Sequence, residues 1–164
     1  MTATGEVACF GDSYAEALLK SMLAANFRIP KKNILVSLGG DEHKVKLLPA
    51  LQKMHEMNYK LFGTLHTAEF LKENGIPCVL LYKISDKQEP STISAVESGN
   101  IDLIINVPVK ALARDSADGF DIRLKAVDLN IPLITNRQLA EGFMFALWEM
   151  RNDELDSKSW NEYR

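Results

Sequence analysis

The chain has 164 residues, 46% hydrophobic and 25% charged, with a formal net charge of −3. That length can bury one core, and the acidic balance argues against a nucleic-acid module, which would carry a basic face. No apolar run is long enough for a bilayer span and no leader-like segment opens the chain, so no membrane role is expected; the cytoplasm is the expected compartment, with the mitochondrial matrix as the alternative.

Residues 1–29 carry one amphipathic helix, about 13–25, followed by Phe27-Arg28-Ile29-Pro30-Lys31-Lys32, which reads as a linker feeding a first strand. Beyond residue 30 the pattern predicts strands at 33–38, 60–63, 78–83, 102–106 and 132–136, with helices near 42–57, 65–75, 91–99, 120–130 and 137–151. Ile34-Leu35-Val36 and Leu103-Ile104-Ile105 are unbroken apolar runs, as suits strands covered on both faces. In the helix at 42–57, Val45, Leu48, Leu51 and His55 recur at helical steps and predict its core-facing stripe. Gly75-Ile76-Pro77 and Asn130-Ile131-Pro132 close two of the helices. Strand alternating with helix gives a three-layer α/β domain with five parallel strands. The division read from this is an entering segment at 1–29, the α/β unit at 30–151 and a polar tail at 152–164, extended or loosely docked. A leading helix without an evident partner suggests a piece of a larger chain. Cys9 and Cys78 have no metal-ligand spacing and read as reduced thiols, and Phe143, Phe145 and Trp148 read as core.

Parallel sheets bind ligands beyond the carboxyl ends of their strands. There the chain places Ser37-Leu38-Gly39-Gly40 and Lys44, then Thr64-Leu65-His66-Thr67, then Lys83, Asn106 and Thr135-Asn136. Paired glycines admit close backbone approach, and hydroxyls at a helix start with nearby cations suit a phosphate or carboxylate. Each residue has an ordinary alternative: Thr64 as a helix cap, Lys44 and Lys83 as solvated charges, Asn106 as a turn former, the glycines as a plain loop. His43 and His66 fall in the same loops, but the spacing does not identify a carboxylate placed with them for proton transfer, and no dinucleotide fingerprint, P-loop or nucleophile elbow occurs.

Thr4-Gly5-Glu6-Val7-Ala8-Cys9-Phe10-Gly11 closely resembles the junction that ends the second synthetase unit of carbamoyl-phosphate synthases. Phe27-Arg28-Ile29-Pro30-Lys31 resembles the link into their C-terminal regulatory domain. Gly99-Asn100-Ile101-Asp102-Leu103-Ile104-Ile105-Asn106, Ile122-Arg123-Leu124-Lys125-Ala126-Val127 and Ile131-Pro132-Leu133-Ile134-Thr135-Asn136 resemble that domain itself. The tail Asp156-Ser157-Lys158-Ser159 resembles ammonia-dependent mitochondrial members.

The resemblance implies a flavodoxin-like sheet of order 3-2-1-4-5, shared with methylglyoxal synthase. It implies an effector site at Ser37, Lys44, Thr64, Thr67, Lys83 and Asn106, with Arg123 either in the site or structural. It also implies no catalysis and no cofactor in this domain, the ATP and magnesium of the parent ligase belonging to its synthetase units. Those units, a small anionic effector and further copies of the chain would be its partners. Members answering to N-acetylglutamate resemble a pattern with tryptophan at position 83 and asparagine at 109, where this chain has Lys83 and Val109. A nucleotide-phosphate effector is therefore favoured, because an ammonium offers phosphate the charge an indole lacks. An assembly module with a degenerate site and a methylglyoxal synthase, with Glu89 or Asp86 as its acid, are the remaining readings.

Overall fold

The computed structural model describes residues 6–109, 117–153, 155 and 158–162. Thr4 and Gly5 of the junction string, and Asp156 and Ser157 of the tail, lie outside them. Five parallel strands run β1 (Asn33–Leu38), β2 (Lys60–Gly63), β3 (Cys78–Leu80), β4 (Leu103–Val107) and β5 (Leu133–Ile134). Helices are α1 (Tyr14–Ala24), α2 (Asp41–Glu56), α3 (Leu65–Glu73), α4 (Thr92–Glu97), α5 (Ala117–Asp128) and α6 (Arg137–Glu149). The sheet order is β3-β2-β1-β4-β5, as the resemblance implied.

Side-chain alternation along the strands divides the interior in two. Ile34, Val36 and Leu38 of β1, with Leu103, Ile105 and Val107 of β4, enter the larger core with residues of α1, α2, α3 and α6. Leu35 and Ile104 face the other way, joining Val96 of α4 with Ile122 and Ala126 of α5. Every strand thus has both faces covered where it is central, which accounts for the unbroken apolar runs.

Three boundaries depart from the sequence pattern. β2 ends at Gly63, so β3 stops at Leu80; Tyr82 turns away to bridge Ser91, and Lys83 precedes a 3-10 turn at Ile84–Asp86. β5 is two residues long because Asn136 leaves the sheet to cap α6, its Oδ1 accepting the Leu139 N–H at 2.9 Å. α5 starts by residue 117 and not 120.

α1 has a partner after all. Ser13 Oγ accepts the Glu16 N–H at 3.2 Å and caps the helix, and Glu16 Oε2 accepts the Asp12 N–H at 2.5 Å. The Lys20 ammonium, 2.7 Å from Glu16, holds that carboxyl below its ordinary range. Ala15 and Leu19 are buried in the larger core, and Tyr14 and Leu18 pass over Gly142 of α6, where an added Cβ would stand 3.3 Å from the Tyr14 hydroxyl. From the tail, Leu155 packs on the same core and Lys158 pairs with Asp12.

Burial pushes the Cys78 thiol up to about 11. Folding therefore holds its proton, and the associated stability is complete below the free-thiol value, declining as pH rises from about 9 toward 11. Urea melts across that interval should show the loss, and Cys78→Ala should remove that part of it. A maleimide at pH 8 should modify Cys78 only as the protein opens.

Candidate functional site

The chain reverses direction across the sheet between β1 and β4, whose neighbours lie on opposite sides, and such a switch point leaves a crevice at the carboxyl ends. Here the crevice has a volume of ≈ 370 Å³ and is lined by Ser37, Lys44, Thr64, Lys83 and Asn106, with Gly39, Gly40, His66, Val109, Asp118, Gly119 and Ile122 among its other walls. Five of the sequence-predicted residues are thus brought together. Ser37 and Asn106 are register partners on β1 and β4, so their proximity follows from strand pairing itself.

Thr64 stands at the N-cap of α3, yet its side chain caps nothing; its hydroxyl lies 3.5 Å from Thr67 Oγ1. In the first turn of α3 the Thr67 N–H donates to the Thr64 carbonyl at 2.9 Å, and the start of the helix receives no side-chain cap. Thr67, expected in the effector site, does not line the crevice. It is 0% exposed behind the crevice wall, and its Oγ1 accepts the buried Leu38 N–H at 3.1 Å, fastening α3 to the end of β1.

Lys44 is buried, not a solvated charge, because the buried row of α2 is Lys44, Leu47, Ala50, Leu51 and Met54. The expected stripe was one position out of phase: Val45 is 60% exposed and His55 is exposed. An ammonium so placed needs a counter-charge, and Asp41 one turn earlier supplies it at 3.0 Å from a carboxylate that is itself almost wholly in solvent.

Arg123 does not line the crevice. Its Nη1 donates to Asn106 Oδ1 at 2.7 Å, so the oxygen of that buried amide is engaged and Nδ2 is the group it can offer a ligand. The paired glycines also act otherwise than expected. A Cβ on Gly39 would lie 2.7 Å from the Val109 nitrogen, so its smallness serves the approach of the chain to itself, while Gly40, at φ +76°, turns the backbone into α2.

His66 borders the crevice with its Nδ1 3.5 Å from Glu69, whereas His43 and Thr135-Asn136 are not among the lining residues. Asp118 escaped the sequence reading. Its two carboxylate oxygens accept the Ser85 N–H and hydroxyl at 3.1 and 3.0 Å, a contact spanning 33 residues that no local pattern announces. Among the described residues no group of three or more His, Cys, Asp or Glu side chains could hold a metal ion, and no helix is long and apolar enough to cross a membrane.

The family model for the MGS-like domain matches residues 46–135. The chain is 42% identical over 165 aligned residues to the multifunctional protein URA2 of Saccharomyces cerevisiae, covering 95% of this chain and 7% of that protein. It is 39% identical to the multifunctional protein ura1 of Schizosaccharomyces pombe, covering 90% of this chain and 7% of that one. With human mitochondrial carbamoyl-phosphate synthase [ammonia] the identity is 37%, over 100% of this chain and 11% of the relative. The chain therefore corresponds to a small part of each of these relatives. Among solved structures, methylglyoxal synthase from Elizabethkingia anophelis NUHP1 has the same fold at a TM-score of 0.54 and 19% identity, covering 71% of this chain and 79% of that one. The sheet order, the family match and these relatives agree, and the chain belongs to the family of MGS-like domains, as these occur in carbamoyl-phosphate synthases and related multifunctional proteins.

Proposed function

We propose that the crevice binds a small anionic effector, a nucleotide phosphate by preference, and that the chain is the regulatory part of a carbamoyl-phosphate synthase serving pyrimidine or arginine synthesis or the urea cycle. The observation that carries this reading is convergence: Lys44, Lys83, the uncapped start of α3 at Thr64 and the Asn106 amide all border one crevice. Cations and N–H donors converging on one crevice describe a binding site for an anion better than a reacting centre. Lys83 and Val109 both border the crevice, so the two positions that differ from the N-acetylglutamate pattern are positions a ligand would meet.

Three carboxylates bear on the methylglyoxal synthase reading. Asp86 accepts the Lys83 N–H at 3.0 Å, Glu89 accepts from Ser91 and Ser94, and Asp118 is held by Ser85. Each already has donors of its own, which favours a domain without turnover. ATP and magnesium would then be handled by synthetase units outside this chain. The domain division at 29/30 and 151/152 belongs to the same proposal, with α1 as the element through which a preceding unit would be joined.

Thermal unfolding with inorganic phosphate, UMP, UTP, IMP and N-acetylglutamate tests the reading. A ligand at a hundred times its Kd should add about 2.7 kcal/mol of stability. Phosphate-bearing ligands should stabilise and N-acetylglutamate should not; the reverse order would overturn the effector class. Dihydroxyacetone phosphate incubated with the protein should yield no methylglyoxal above the buffer control.

A further inference from the structure

The crevice draws its second lysine from a short segment that is not part of the sheet. Past β3 the chain makes the 3-10 turn Ile84–Asp86, entered at Lys83 and left through Lys87 in the left-handed region at φ +51°. The turn is closed at its base by the Lys83 N–H donating to Asp86 Oδ2 at 3.0 Å. At its tip, Ser85 gives both its N–H and its hydroxyl to the two oxygens of Asp118 in the first turn of α5. Asp118 and Lys83 border the crevice from these two elements. A carboxylate beside an anion-binding crevice is a liability, since it repels the ligand that the lysines attract. Its presence there needs an offsetting contribution, and the paired bonds to Ser85 supply one.

We propose that Ser85 and Asp118 form a strap that fastens the Lys83-bearing turn to α5 and so holds Lys83 in place for the anion. The proposal rests on the reading of the crevice as an anion site and names how that site is kept in order. The segment is pinned at its base, where the Tyr82 N–H donates to the Pro90 carbonyl and the Tyr82 carbonyl accepts the Thr92 N–H, but without the strap its tip would keep backbone freedom that ligand binding must then remove. With the strap made, part of that ordering is complete before the ligand arrives.

The two roles open to Asp118 have opposite signs. As a mere negative charge, its removal would tighten anion binding; as the anchor of the strap, its removal loosens the turn and weakens it. Ser85→Ala carries no charge change and isolates the strap. Calorimetry of inorganic phosphate on the full chain should show binding about threefold to tenfold weaker in Ser85→Ala, the scale of one hydrogen bond lost. Ser85→Thr should restore the wild-type value. In a Lys83→Met background Ser85→Ala should change phosphate affinity no further, a coupling that a general loss of fold would not produce. Amide exchange should show the Ser85 N–H protected in the wild type and exposed in Asp118→Ala. Wild-type phosphate affinity in Ser85→Ala, or tighter binding in Asp118→Ala with Ser85→Ala unchanged, would overturn the strap while leaving the anion site standing. Failure of the wild type itself to take up phosphate would overturn the anion reading, and the strap with it.

Discussion

Phe143→Ala should destabilise the protein by about 3–5 kcal/mol, the range for deleting a fully buried aromatic side chain. Phe143 has no exposed surface and meets Phe27 edge to face, with ring centroids 5.3 Å apart and planes at 76°. It lies in the larger core, which α1, α2, α6 and the central strands share, so the cavity cannot be closed by moving one helix. Against a typical total of 5–15 kcal/mol, such a loss leaves a marginal fold. Urea unfolding should show a lower midpoint with unchanged slope. Phe145→Ala, two residues on but 36% exposed, should cost far less. Equal losses at the two positions would contradict the packing described.

Thr67→Ala should cost about 1–3 kcal/mol of stability, because it strips the acceptor from a buried N–H. That N–H belongs to Leu38, at the end of the strand that leads into Gly39 and Gly40, so the damage falls on the floor of the crevice. Thr67→Val preserves shape and should behave like the alanine variant, whereas Thr67→Ser keeps the acceptor and should stay close to wild type. Phosphate binding should weaken in Thr67→Ala and Thr67→Val together. A variant of normal stability with lost binding would instead make Thr67 a direct ligand group, as the resemblance implied by placing it in the effector site.

What the sequence disclosed follows from which forces are local. Short β-rich runs alternating with stretches of helical period located all five strands, and in β1 and β4 burial on both faces leaves no polar position in Ile34-Leu35-Val36 or Leu103-Ile104-Ile105. Strand ends were less legible, since β3 stops where β2 stops, which is not written locally, and β5 stops where Asn136 turns off to cap α6. In α2, Val45, Leu48 and Leu51 fit a helical period as well as Leu47, Leu51 and Met54 do, and the choice between phases is made by the sheet beneath. The wrong phase turned Lys44 outward and hid its burial. The crevice residues at strand ends were legible because the switch-point rule depends only on topology. Arg123 on Asn106, Ser85 on Asp118 and Thr67 on Leu38 were not, being single contacts across 17, 33 and 29 positions. Strand order came from the family resemblance and not from the pattern.

The pairing of β1 with β4 carries a consequence for the order of events in folding. β1, β2 and β3 are consecutive neighbours joined by α2 and α3, so half the sheet can assemble from contacts close in sequence. Ser37 meets Asn106 only when a loop of about seventy residues closes, and long closures are slow because chain entropy is surrendered before contacts compensate. The crevice straddles that seam. Its walls are complete only after that closure, so a chain arrested before it would have Thr64 in place beside β1 and no counterpart to Asn106. Anion uptake, followed during refolding, would then report the docking of β4 on β1, while helix signals from α2 and α3 would report an earlier step.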